Sequence, residues 1–233
     1  DGIRVVLKKE GGEEAVDGSH LLVATGRRPN VAGLNLENAG IKYSEKGILV
    51  DARLRTTNKK VFAIGDVAGG FLFTHVAAYH AGVVIKNALF RLPAKAEYRA
   101  VPWVTYTAPE LAQVGLTEDS AKQAGRDFRV LRWAFHENDR AQAEGVTDGL
   151  VKAIVAPNGH ILGCGIVGSH AGELIQPWVL AMSRKLKIGA MATMIVPYPT
   201  LGEVSNRAAR SFYTPSLFSD RTRKIVKFLS GFG

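Results

Sequence analysis

The run Val61-Phe62-Ala63-Ile64-Gly65-Asp66-Val67 sets four apolar residues against a glycine and a carboxylate. A short apolar run bounded by turn signals reads as a buried strand, and Gly65-Asp66 stops this one at once. After Gly69-Gly70 a helix-like stretch runs from about Thr74 to Phe90, where Ala77, Ala78, Ala81 and Gly82 make one side small. Strand, glycine turn, then helix is the order of open α/β sheets, which bind nucleotides at the ends of their strands.

Upstream, Ile3, Val5 and Leu7 alternate with polar residues, the pattern of a half-buried strand. Gly11-Gly12 is a turn signal, and Leu21-Leu22-Val23-Ala24 is a second buried strand ended by Gly26. From Arg27 to Asn58 the chain is polar and rich in turns. Composition shifts between Leu92 and Pro102, which marks a domain boundary. Beyond it, Trp103–Tyr106, Leu111–Leu116, Phe128–Phe135 and Leu150–Val155 read as strands, and Thr117–Ala124 as a short helix. Asn158-Gly159 between Val155 and Ile161 is a two-residue hairpin signal. Leu174, Trp178, Ala181 and Met182 recur at helical spacing and predict a helix from about Ala171 to Leu186. Another is expected from Leu201 to Tyr213, after Pro197-Tyr198-Pro199. The fold class is thus an α/β segment followed by an α+β domain with an antiparallel sheet and flanking helices.

The chain has 233 residues, 46% apolar and 22% charged, the mix of a globular protein. No stretch reaches the roughly 18 uninterrupted apolar residues of a membrane span. The first residues, Asp1-Gly2-Ile3-Arg4-Val5, are strand-like and carry no initiator methionine, so we expect the chain to begin inside a longer protein. Cys164, the single cysteine, lies in an apolar run and reads as a buried thiol; a cytoplasmic setting fits it. The net charge of +9 owes much to Arg207, Arg210, Arg221, Arg223, Lys224 and Lys227. No motif for base recognition accompanies it, and no nucleic-acid partner is expected. From Arg221 to Phe232 these cations alternate with Ile225, Val226, Phe228 and Leu229. That amphipathic tail could touch anionic lipid, or be a solvated end. His75 and His80, five apart, fall roughly 140° apart on a helix. With His20, His136, His160 and His170 scattered, no metal site is expected.

Asp66 carries the most chemistry. A carboxylate directly after a buried strand, beside a glycine, can accept hydrogen bonds from a ribose or polyol while the glycine lets backbone approach. The helix start near Thr74-His75-Val76 offers backbone amides and a positive dipole end to an anion. A turn residue capping a helix is the plain alternative for Asp66.

Ala24-Thr25-Gly26-Arg27-Arg28-Pro29-Asn30 followed by Ala63-Ile64-Gly65-Asp66-Val67 resembles a motif pair of the pyridine nucleotide–disulfide oxidoreductases, flavoproteins such as dihydrolipoamide dehydrogenase, glutathione reductase and mercuric reductase. Val101–Thr107, Pro109-Glu110 and Val114–Thr117 resemble the opening of that family's dimerisation domain. Asn138-Asp139-Arg140-Ala141 and Gly163–Glu173 are similar too. The resemblance implies the end of an NAD(P)-binding domain over residues 1–28, the returning part of an FAD-binding domain over 29–98, a dimerisation domain over 99–215 and a basic amphipathic tail over 216–233. It implies FAD and NAD or NADP as cofactors, with Gly26, Gly65, Asp66, Thr74, His75, Val76 and Ala77 at the flavin. Homodimerisation through residues after about Arg99 is implied as well, with a small-molecule electron acceptor and an N-terminal half of the same protein holding the glycine motifs and the redox cysteine pair. Hydride transfer is not expected from these residues alone, and the region around Leu21–Ala24 and Val61–Ile64 is expected to be poorly covered.

In dihydrolipoamide dehydrogenase and glutathione reductase the turn that reaches the partner's active site begins with a histidine oriented by a glutamate. Here Tyr198 and Glu203 stand in those places, the candidate catalytic residues; a packed turn residue with a structurally bonded hydroxyl is the plain alternative for Tyr198. Tyrosine, with an ordinary pKa near 10, does not shuttle a proton near neutrality as imidazole does. The departure argues against a lipoamide or glutathione disulfide and toward mercuric reductase, which also has a tyrosine there. The cysteine pair near the end of mercuric reductases has no match in Lys227–Gly233.

Overall fold

The computed structural model describes residues 2–232, and the chain divides into two compact units between Ala96 and Glu97. The break falls inside the compositional shift from Leu92 to Pro102.

The first unit opens with an antiparallel hairpin, β1 (Ile3–Lys9) and β2 (Gly12–Gly18), closed at Lys9↔Gly12. The alternating run of Ile3, Val5 and Leu7 forms β1; its polar partner β2 had no comparable signal. The next expectation fails. Leu21, Leu22 and Val23 are 53%, 87% and 71% exposed and belong to no strand. Val61–Ile64 is likewise no buried strand, and its ladder is the one bridge Arg55↔Phe62. The cause is the same in both: an apolar run is a strand only where neighbouring backbone takes its N–H and C=O groups on both sides. Here Val61 O and Ala63 N bond only to the Leu54–Thr56 segment. The exposure of Leu21–Val23 agrees with the poor cover expected there.

The turn-rich segment from Arg27 to Asn58 supplies more structure than its composition suggested. A two-residue ladder, β3 (Tyr43–Ser44) with β4 (Gly47–Ile48), helps bury Leu36, Ile41 and Ile48 against Ala63. A single 3-10 turn over Gly65–Ala68 leads to the long helix α1, Thr74–Ala88. The buried face of α1 is Val76, His80 and Val83, and not the row of alanines.

The second unit is built on a five-stranded antiparallel sheet in the order β5-β6-β9-β8-β7, from β5 (Pro102–Thr105), β6 (Glu110–Gly115), β7 (Arg129–Ala134), β8 (Leu150–Val155) and β9 (Ile161–Gly168). Four of the five were expected as strands, and β9 as the arm that follows the Asn158-Gly159 hairpin signal. Alternate residues, among them Ala112, Val114, Val151, Ala153, Cys164 and Ile166, turn into one core with Trp178 and Val204 from the covering helices. On the opposite side α2 (Glu118–Gln123) is tied to β8 and β7. Its Glu118 accepts from Lys152 at 2.6 Å and pairs with Arg132 at 3.3 Å. Lys152 and then Lys122 hold the Glu118 carboxyl down to about 2. After β7, Asn138 caps the short helix α3 (Asp139–Glu144).

The helix expected over 171–186 is two helices, α4 (Ala171–Leu174) and α5 (Gln176–Ser183). Pro177 explains the break, because it has no N–H to give to the carbonyl four residues back. α6 (Ile188–Thr193) is too short to show a period and was missed. α7 (Glu203–Arg210) occupies the middle of the expected 201–213 span. Trp178 Nε1 donates to Ser205 Oγ at 2.9 Å, and Asn206 Nδ2 donates to Met191 O at 2.9 Å, so α7 is bolted to α5 and α6 by buried polar groups. α8 (Thr214–Leu217) and α9 (Asp220–Leu229) complete the chain.

Where β6 leaves the sheet, Leu116 N donates to Leu162 O at 2.9 Å. A Cβ on Gly163 would lie 2.0 Å from Leu116 O and 2.5 Å from Leu116 N, both rigid backbone atoms. Gly163→Ala therefore lowers the stability of this unit by about 2 kcal/mol or more, read by denaturant unfolding; a loss of a few tenths would contradict the close approach.

Candidate functional site

The candidate cofactor residues gather at the start of α1. Gly65 adopts φ +67, a left-handed conformation open to glycine at little cost, and a Cβ there would come within 3.0 Å of Ala77 Cβ. Its N–H donates to Nδ1 of His80 at 3.1 Å. His80 is 2% exposed, and burial lowers its pKa below the ordinary value of 6.5. A neutral ring leaves Nδ1 as an acceptor for that amide. The imidazole thereby anchors the turn from below, a role that spacing along the sequence did not suggest.

With Gly65 fixed, the Asp66 carboxylate sits at the surface, its side chain 43% exposed. Oδ2 pairs with Arg27 Nη1 at 3.2 Å, and Arg27 Nη2 also donates to Leu72 O. The two motifs carrying Gly26-Arg27 and Gly65-Asp66 are thus joined directly. Gly26 itself is exposed with φ +122, and nothing would touch a Cβ placed on it. Of the helix amides, those of Val76 and Ala77 both donate to Phe73 O, at 3.0 and 3.1 Å. The side chain of Val76 is buried, while Thr74 and His75 lie exposed at the first turn. The His75 ring stacks on Phe73 with centroids 5.1 Å apart. An exposed carboxylate beside a helix N-terminus can bind hydroxyls and an electron-rich edge at once, so these residues fit a flavin's polyol chain and pyrimidine side.

The second candidate site lies in the other unit, at the turn before α7. Tyr198 and Glu203 are not hydrogen-bonded to each other. The Tyr198 hydroxyl donates to Asp139 Oδ2 at 2.7 Å, and Glu203 pairs with Arg207 at 3.6 Å. Next to Asp139, the buried Asn138 donates from Nδ2 to Thr200 O at 3.1 Å. The start of α3 therefore grips the turn at two points. Asp139 is the residue of this candidate site that the sequence does not single out: Asn138–Ala141 resembles the family only as a stretch. The bond to Asp139 raises the Tyr198 pKa above its ordinary 10.0. The phenol, 68% exposed, is a neutral hydrogen-bond donor near neutrality and not a proton shuttle.

Elsewhere the Cys164 thiol is fully buried, and burial pushes its pKa well up. Among the described residues no three His, Cys, Asp or Glu side chains come together as a metal site. Among the described residues no helix is long and apolar enough to cross a membrane.

The chain belongs to the pyridine nucleotide-disulphide oxidoreductase family. Residues 1–81 match the family's own description, pyridine nucleotide-disulphide oxidoreductase, and residues 101–209 match its dimerisation domain. Mercuric reductase from Staphylococcus aureus is 38% identical over 210 residues, covering 89% of this chain and 38% of that protein. Dihydrolipoyl dehydrogenase from Bacillus subtilis (strain 168) is 36% identical over 211 residues, 90% of this chain and 45% of the relative. Among solved structures, the HOCl-induced flavoprotein disulfide reductase RclA from Escherichia coli, as its Cu(II) complex, is similar with a TM-score of 0.80 and 31% identity over 89% of this chain and 47% of that one. The chain spans less than half the length of these relatives.

Tyr198 should titrate above the range of a free phenol, and Asp139→Asn should bring its ionisation back toward 10.0. The difference in ultraviolet titration between each protein and its Tyr198→Phe counterpart isolates this one phenol. An unchanged midpoint in Asp139→Asn would show that the carboxylate does not hold the hydroxyl.

Proposed function

We propose that these residues are the C-terminal part of an FAD-dependent NAD(P)H oxidoreductase that works as a homodimer in the cytoplasm. Residues 1–28 end a nicotinamide-binding domain, 29–98 return to the FAD-binding domain, and 99–215 pair two protomers. The observation that carries this reading is the Asp66 carboxylate, held at the surface by the Gly65–His80 bond at the start of α1. Bound FAD would supply the two-electron chemistry between NAD(P)H and an acceptor. Asp66 would hold the ribityl or pyrophosphate part of it, and Gly26 and Gly65 would give it room. The first turn of α1, Thr74 to Ala77, exposed at Thr74 and His75, would present its positive end to the flavin's pyrimidine edge.

The Tyr198–Glu203 turn would reach the active site of the partner protomer. There the phenol would orient or ligate a small acceptor, with Asp139 keeping its proton. This favours an acceptor other than a lipoamide or glutathione disulfide, whose exchange needs a group that moves protons near neutrality. A mercuric reductase-like activity is the second reading, supported by tyrosine in place of histidine at position 198. By itself the chain would serve as a dimerisation module without turnover.

In the complete polypeptide, Asp66→Ala should weaken FAD binding by roughly tenfold or more, as the loss of charge-assisted hydrogen bonds does. Flavin absorbance per protomer after gel filtration reads this, and a variant that keeps its flavin to the same dilution would overturn the assignment of Asp66. Light scattering at micromolar concentration should give the mass of a dimer. A monomer would contradict the role of residues 99–215.

A further inference from the structure

The C-terminal segment lies outside both stretches matched by the family and is used by neither candidate site. Ser219 caps α9, its Oγ accepting from Thr222 N at 3.3 Å, so the helix over Asp220–Leu229 has its own start signal. None of its residues is buried. At about 100° per residue, Phe228, Ile225, Leu229 and Val226 fall within one arc of about 160°, on one side of the helix. Arg223, Lys227 and Lys224 occupy the other, while Arg221 projects between Phe228 and Ile225 just inside the edge of the apolar arc, from where a long side chain can reach outward to the basic side. The apolar arc is open: Phe228 is 66% and Leu229 59% exposed. Phe232 extends it, its ring 4.9 Å from that of Phe228. From position 216 onward four basic side chains stand against one acidic, Asp220.

We propose that α9 docks this protein on the surface of an anionic lipid bilayer, with its apolar arc at the acyl boundary and its cations among the headgroups. A helix with one apolar and one basic face and no core to cover it has the make-up of an interfacial anchor. Charge decides the occupant. A second copy of the helix would meet the apolar arc equally well but would bring like charges together along both edges, whereas stable helix pairs alternate signs there. An anionic leaflet satisfies both faces at once, each basic side chain near it being worth about fivefold in binding. The attachment is peripheral, since ten residues in α9 are too few to span a bilayer.

Cosedimentation of the full chain with vesicles tests this. Binding to mixed phosphatidylcholine–phosphatidylglycerol vesicles should exceed binding to phosphatidylcholine alone by roughly tenfold or more. It should fall as salt rises from about 0.01 M to about 1 M, over which the screening length shrinks from about 30 Å to about 3 Å. Phe228→Ser with Leu229→Ser, and separately Arg223→Glu with Lys227→Glu, should each weaken binding by roughly tenfold or more. All four positions are exposed, and an unchanged circular dichroism melt shows that each variant is folded. Equal binding to both vesicle types, no binding to either, or binding that ignores both double variants would overturn the proposal. So would sedimentation velocity showing that the wild-type tail drives self-association that Phe228→Ser with Leu229→Ser abolishes.

Discussion

A single hydrogen bond orders the first unit's candidate site: the Gly65 amide donating to the buried Nδ1 of His80 at 3.1 Å. It needs a neutral imidazole, and burial supplies one by penalising the charged form. A proton on Nδ1 would set two donors face to face and release the turn. The bond also needs a glycine, because φ at position 65 is +67 and Ala77 leaves little room for a Cβ. With both in place, Asp66 projects toward Arg27, whose Nη1 lies 3.2 Å from its Oδ2. The helix provides the anchoring ring and the positive terminus together, so the carboxylate and the helix start are positioned by one element.

The Tyr198 turn is held by a different kind of constraint. Within the turn Thr200 Oγ1 donates to Pro197 O at 2.7 Å; from outside it Asn138 and Asp139, at the start of α3, take hold of its Thr200 carbonyl and its Tyr198 hydroxyl. α7 behind it is secured by Trp178, Ser205 and Asn206. A phenol bonded to a carboxylate stays protonated well past neutrality, and that separates its chemistry from that of an imidazole in the same place.

Much of this was legible in the sequence. The sheet of the second unit follows from four strand-like runs and one hairpin signal, and α1 from a helix-like stretch after a glycine pair. Leu21–Ala24 and Val61–Ile64 misled because apolar composition reports a tendency to be covered, while strand formation depends on backbone partners that composition does not reveal. Pro177, inside the span expected as one helix, divides α4 from α5. Asp139 could not be found by spacing, since its partner Tyr198 lies 59 residues away. The family-like stretch around it was the only available signal. His80 was hidden for a similar reason: a histidine in a helix says nothing of which amide its ring will meet.

The assignment of Asp66 to the flavin is tested most directly by the crystal structure of the complete, flavin-loaded protein. An Asp66 carboxylate oxygen should lie about 2.6–3.2 Å from a ribityl hydroxyl or from the pyrophosphate-linked end of FAD, with Gly65 N still on His80 Nδ1. An Asp66 side chain paired only with Arg27 and turned away from the flavin would contradict it.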